Sequence, residues 1–250
     1  ELPDGTWVRV EIERPERPDR FGGAADSEPP SRKTLARVVE VLGAEGDPQA
    51  EIRAVIAHFG IPSVAPAEAL AEAALMPEAP RSEDLAGRED WTGRTIVTID
   101  GASTQDFDDA ITAEALPDGG FRIAIHVADV GHYVAEGSAL DLEAFRRSTS
   151  VYYPGRVVPM LPESLSNGLC SLVPDEDRLC LCCELRVSDD GRITRSRFFE
   201  AVMRSAARLT YREVGEFLER PAAKHAPKVE QLRERLLALH GVYHSFLRER

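Results

Sequence analysis

The chain has 250 residues, 43% hydrophobic and 29% charged, proportions that set aside disorder, collagen and a disulfide-stapled miniprotein and leave room for one large domain or two modest ones. No run reaches the roughly 18 apolar residues of a membrane-crossing helix, and the opening ELPDGTWVRV lacks the basic region and apolar core of a signal peptide. A formal net charge of −13 excludes a protein that holds nucleic acid by bulk charge alone, so any such function must come from a local site.

Residues 7–12 (WVRVEI) alternate apolar and polar with period two and read as a half-buried strand. A Pro- and Gly-rich loop is expected over 15–31, a second strand over 35–42 and a turn over 43–48. Asp47 and Pro48 form an N-cap and first helical residue. Ile52, Val55, Ile56 and Phe59 give that helix an apolar face, and Gly60 ends it. A second helix is expected over 66–76, stopped by Pro77, and an acidic connector over 77–90. Strands are expected at 94–100, 121–130 and 178–187, with a helix at 140–147. Asp190-Gly191 signals a hairpin turn returning through 192–203. Val229, Leu232, Leu236, Leu239, Tyr243, Phe246 and Leu247 lie on one helical face. There are no internal repeats. The fold class is α+β, or α/β with a mixed sheet.

The four cysteines are Cys170, Cys180, Cys182 and Cys183. They have no histidine at zinc-finger spacing behind them. They read first as buried free thiols in a cytoplasmic protein, and second as metal or redox groups.

TIDGASTQDFDDAI carries the chemistry. Asp100, Asp106, Asp108 and Asp109 fall within ten residues, with no lysine or arginine among them. Two like charges about 4 Å apart repel by about 4 kcal/mol at an effective dielectric of 20, so some of these acids must take up protons or share a cation. A hard divalent ion suits oxygen ligands and phosphate chemistry. An EF-hand is excluded, because counting from Asp100 puts Ala102 at the third position and counting from Asp106 puts Ala110 at the fifth. An acidic surface loop remains the alternative on spacing alone.

The strings TIDGASTQDFDDAI, IAIHVADVGHYV, TSVYYPGRVVPMLPESLSNGLCSL, DEDRLC and RSAARLTY, taken together, resemble the ribonuclease II/ribonuclease R family, above all its bacterial ribonuclease R branch. Residues 1–80 more loosely resemble the C-terminal part of a cold-shock-like OB barrel with connecting helices, and 81–250 the N-terminal part of a mixed-sheet RNB nuclease domain. The resemblance implies a Mg²⁺-dependent, processive 3′→5′ exoribonuclease acting on the 3′ end of single-stranded RNA and releasing nucleoside 5′-monophosphates. It implies a cytoplasmic, monomeric protein without a membrane anchor. It carries Asp100, Asp106, Asp108 and Asp109 onto the family's catalytic aspartates. Asp100, Asp106 and Asp109 are expected to hold metal, directly or through water, and Asp108 to orient the nucleophilic water or a second ion. Tyr152 matches a tyrosine that stacks on a base near the RNA 3′ end.

Weaker expectations attach to other residues. His126, His132, Tyr133 and Tyr153 read as structural, with channel lining the second reading of His126. Asp129 is a candidate to support the metal loop through hydrogen bonds. Arg186, Arg192, Arg195, Arg197, Arg204, Arg208 and Arg212 form a basic stretch, either a solvated hairpin face or a set of phosphate contacts. The family's catalytic domain extends further and includes an arginine and channel aromatics, followed by an S1 domain, so the chain reads as a fragment. Two other classes remain: an RNA-binding protein that keeps the fold without catalysis, and a calcium- or metal-binding interaction protein without nuclease chemistry.

Overall fold

The computed structural model describes residues 2–13 and 35–249; the loop expected over 15–31 lies outside the described residues. The chain forms two units, Glu1–Val64 with Tyr152–Val158, and Ala65–Val151 with Pro159–Arg250.

In the first unit β1 (Thr6–Glu13) and β2 (Leu35–Ala44) pair antiparallel, with register shifts at Trp7/Val8 and Arg9/Val10. A two-stranded ribbon cannot bury both faces, and Ile12, Leu35 and Val41 remain exposed. Helix α1 (Pro48–His58) starts where the cap signal placed it: the Asp47 carboxylate accepts from the Gln49 amide at 2.9 Å. Arg53 then ties α1 to β2, donating through Nε to the Leu42 carbonyl at 2.5 Å and through Nη2 to Asp47 at 3.2 Å.

The second unit opens with α2 (Ala67–Ala74) and a single 3-10 turn at Ser82–Leu85. Strand β3 (Glu89–Asp100) begins inside the stretch expected to be a connector, five residues before the expected strand. Its hydrophilic first half has no strand pattern of its own; it is extended because Glu89, Asp90 and Trp91 pair with Ala201, Val202 and Met203 of a distant parallel strand. Strand β4 (Asp109–Ala115) was not expected at all, since DAITAEA carries few β-branched or aromatic residues. It is held by a seven-pair ladder to β5 (Phe121–Ala128), from Asp109↔Val127 to Ala115↔Phe121.

After the short α3 (Val130–Tyr133) and α4 (Ala139–Arg147), β6 (Val151–Tyr153) and β7 (Arg156–Val158) make a two-stranded hairpin of their own. A π-helical turn at Ser164–Leu169 follows. β8 (Asp177–Val187) and β9 (Ile193–Thr210) form the Asp190-Gly191 hairpin. β9 continues seven residues past the expected end, because its pairing with β3, which starts at Ala201, runs on until Asp100 lies beside Thr210. The strands close into a barrel in the order β3-β4-β5-β8-β9, mixed because β3 and β9 are parallel.

Three helices complete the described chain: α5 (Tyr211–Glu219), α6 (Pro227–Gln231) and α7 (Arg233–Glu249). The C-terminal apolar face is thus split near Leu232 into two helices. The unexpected α5 has a local signal, a capping box between Thr210 and Glu213.

Small and sulfur-bearing residues fill the core between the strands: Ala110, Ala124, Cys180, Cys182, Ala201 and Met203 are buried together with Ile96 and Leu179. Ala69, Leu140 and Leu165 from α2, α4 and the π turn extend the same cluster. α7 packs Ala238 and Val242 against Ala113, Ile123 and Val187. The four cysteines are free, as expected, with Cys170, Cys180 and Cys182 buried; burial pushes those three thiols up to about 12, which makes them inert at neutral pH.

At the barrel end where β3, β5 and β9 begin, ion pairs run from strand to strand. Glu89 meets Arg197, Arg197 meets Glu184, Glu184 meets Arg122, Arg122 meets Glu114 and Glu114 meets Arg235, at 2.6, 2.5, 3.3, 2.8 and 3.3 Å. Every strand of the barrel contributes one charge to this belt. The aspartates of TIDGASTQDFDDAI lie at the other end. Among the described residues no helix is long and apolar enough to cross a membrane.

Candidate active site

β3 delivers Asp100 at its last position and β4 delivers Asp109 at its first. The two strands are antiparallel neighbours, through Val97↔Ile111. The loop between them therefore returns the chain to the same barrel end and gathers all four aspartates there.

That loop is held by its backbone. The Thr104 amide donates to the Gly101 carbonyl at 3.2 Å, and the Ala128 amide to the Asp108 carbonyl at 2.9 Å. Phe107 is buried between the exposed Asp108 and the half-buried Asp106. Its amide donates to Ser171 Oγ at 3.0 Å, and its carbonyl accepts from the Leu172 amide at 2.9 Å. Ser171 Oγ in turn donates to the Gln105 carbonyl at 2.9 Å.

The carboxylates act on one another. Desolvation raises the Asp100 carboxyl above its ordinary range, and the neighbouring charge of Asp109 adds to it, against the opposing charge of Arg208. Asp108 is raised by desolvation within the loop and then by the charges of Asp106 and Asp109. A hard divalent cation would relieve this repulsion, and carboxylate oxygens are its natural donors. Donor type and charge thus fit. Among the described residues no three His, Cys, Asp or Glu side chains already stand as a ligand set, so a cation would have to draw the carboxylates inward.

The other expected residues fall elsewhere. Tyr152 belongs to the first unit, on β6, with its side chain exposed. His126 is fully buried, its Nδ1 3.5 Å from Cys180 Sγ and its ring edge-on to Trp91. Burial lowers its pKa to about 4, so it is a neutral core group. The Asp129 carboxylate accepts from Arg88 at 2.6 Å, a pair buried at both partners. His132 joins them, with Nδ1 3.3 Å from Arg88 and Nε2 2.9 Å from Asp84. Arg186, Arg192, Arg197, Arg204 and Arg212 all face carboxylates, on Asp118, Asp190, Glu184, Asp177 and Glu216. The basic stretch is therefore largely neutralised on the hairpin surface. Ser171 was missed in the sequence because its partners lie some 65 residues away, and no local pattern marks it.

Residues 88–250 match the family model described as the RNB domain. The chain belongs to the RNB family. Residues 1–66 match the model described as a cold shock domain. Within the family the chain is 46% identical over 196 residues to Ribonuclease R of Thermotoga maritima, covering 78% of this chain and 28% of that protein. It is 40% identical over 255 residues to Ribonuclease R of Escherichia coli, covering 97% of this chain and 31% of that one. The solved Mycoplasma genitalium RNase R in complex with double-stranded RNA superposes with a TM-score of 0.80 at 29% identity, over 98% of this chain and 41% of that chain. The chain thus spans less than half of each relative. The fold is the α+β, mixed-sheet arrangement of these RNB proteins, with a cold-shock match at its N-terminal end.

Proposed function

We propose that this chain carries the aspartate site of a Mg²⁺-dependent, processive 3′→5′ exoribonuclease that hydrolyses single-stranded RNA to nucleoside 5′-monophosphates. The observation that carries this reading is the gathering of four carboxylates at one barrel end by the β3–β4 connection, two of them with raised affinity for protons, in a chain of the RNB family. The relatives named above are ribonucleases R.

Asp100, Asp106 and Asp109 would hold the Mg²⁺, which when bound supplies positive charge to the scissile phosphate and acidifies water. Asp108 would orient the attacking water by accepting its hydrogen bond. Water's oxygen joins the phosphorus and the bond from phosphorus to the 3′ oxygen breaks. The products are a 5′-monophosphate and a new 3′ hydroxyl on the shortened strand. The loop's backbone anchors, Thr104, Ser171 and Ala128, keep the carboxylates at the barrel end during this exchange. Tyr152, with its exposed ring, would stack on a base near the 3′ end; stacking tolerates any sequence, as complete degradation requires. The protein is proposed to work as a cytoplasmic monomer.

A gel assay on 5′-labelled single-stranded RNA tests this. Ladders shortening from the 3′ end with Mg²⁺ and not with EDTA are expected. Intact RNA under both conditions, using the full-length protein, would overturn the proposal.

A further inference from the structure

Arg208 differs from Arg197 and Arg204 of the same strand, which face carboxylates. Among the described residues it faces no carboxylate within ion-pair distance. Its Nη2 instead donates to the carbonyl oxygens of Gly101 at 3.3 Å and Ala102 at 2.5 Å. Its guanidinium carbon lies 5.2 Å from the centre of the Phe107 ring. The side chain thus touches the aspartate loop at its start and near its end. Its own backbone is fixed by parallel pairing beside Thr98 and by Lys228 Nζ, which donates to its carbonyl at 3.2 Å.

We propose that Arg208 is a positioning residue for the aspartate cluster: it braces the loop from Gly101 to Phe107 so that less of the loop has to be ordered when a cation draws the carboxylates inward. This rests on reading the cluster as a cation site. A guanidinium beside carboxylates has two opposing effects. Its charge repels a cation, so a purely electrostatic neighbour weakens cation binding and its removal tightens it. A brace removes the entropic cost of ordering the loop at the moment of binding, so its loss weakens binding. The sign of the change separates the two.

The test uses the full-length protein, with Mn²⁺ as probe and free Mn²⁺ followed by electron paramagnetic resonance. R208M is expected to bind Mn²⁺ about 10–100-fold more weakly than the parent, R208K to recover part of the loss, and RNA binding in EDTA to stay unchanged. Binding by R208M that equals or exceeds the parent's would overturn the brace. If R208M does not melt cooperatively, R208Q takes its place, and the same two signs decide. A parent protein that binds no Mn²⁺ would overturn the metal reading together with the brace. Parent binding that R208M leaves unmoved would overturn the brace alone.

Discussion

The Ser171 hydroxyl and the Phe107 amide meet at 3.0 Å inside the fold, and the same hydroxyl donates to the Gln105 carbonyl at 2.9 Å. One fully buried side chain therefore satisfies a donor and an acceptor on either side of Asp106. Ser171→Ala leaves both backbone groups without this partner, and a buried unsatisfied group costs about 1–3 kcal/mol. Urea denaturation is expected to show a loss in that range. Stability within 0.3 kcal/mol of the parent, about the error of such measurements, would show that the loop is held without Ser171.

Asp108→Asn keeps the shape of the side chain and removes its charge. RNA hydrolysis is expected to fall by at least about 10³-fold, in the range of losses seen on removing one essential group, with single-stranded RNA affinity preserved. Rates and a filter-binding Kd on one preparation check this; near-parent turnover would contradict the role given to Asp108.

The raised carboxyls make cation binding depend on pH. A group whose folded pKa lies above its unfolded value adds stability below the unfolded pKa, and that contribution is lost as pH rises through the folded one. Above the raised range of Asp100 and Asp108 the charges of the cluster repel one another, so Mg²⁺ is expected to raise Tm there. As pH falls into the raised carboxyl range, protons take over the same role, and the increment from Mg²⁺ shrinks. Melting curves with and without Mg²⁺ across that range check the sign; an increment that grows on acidification would refute it.

Gly191 sits at φ +90 in the β8–β9 turn, and an added Cβ would lie 2.2 Å from the Ser245 carbonyl oxygen of α7. That contact is with backbone, which cannot swing away. Gly191→Ala is expected to cost about 1–3 kcal/mol, read as a lower denaturation midpoint.

For Tyr152→Ala the expected outcome is a changed length of the last short product, since stacking contributes about 1–3 kcal/mol per base. Denaturing gels resolve this at single-nucleotide steps, and an unaltered end product would exclude a stacking role at the 3′ end.

Local signals were enough for several elements. Asp47-Pro48 announces α1, the apolar run in 121–130 announces β5, and Asp190-Gly191 announces the hairpin, because each depends on neighbours within a few residues. The four aspartates were legible in the same way: uncompensated carboxylates at short spacing demand protons or a cation wherever the chain goes. Thr210 and Glu213 also carried a readable cap for α5. What the sequence could not determine lies in contacts between distant segments. Glu89–Arg94 and DAITAEA have weak strand preference and become β3 and β4 only through pairing with β9 and β5. The parallel closure of the barrel sets which end holds the aspartates and which the Glu89-to-Arg235 belt of charges. Ser171 and Arg208 reach the aspartate loop across some 65 and 105 residues. Such partners leave no periodic trace in the chain, because hydrogen bonds and steric fit act through space, whereas propensity and capping act along the backbone.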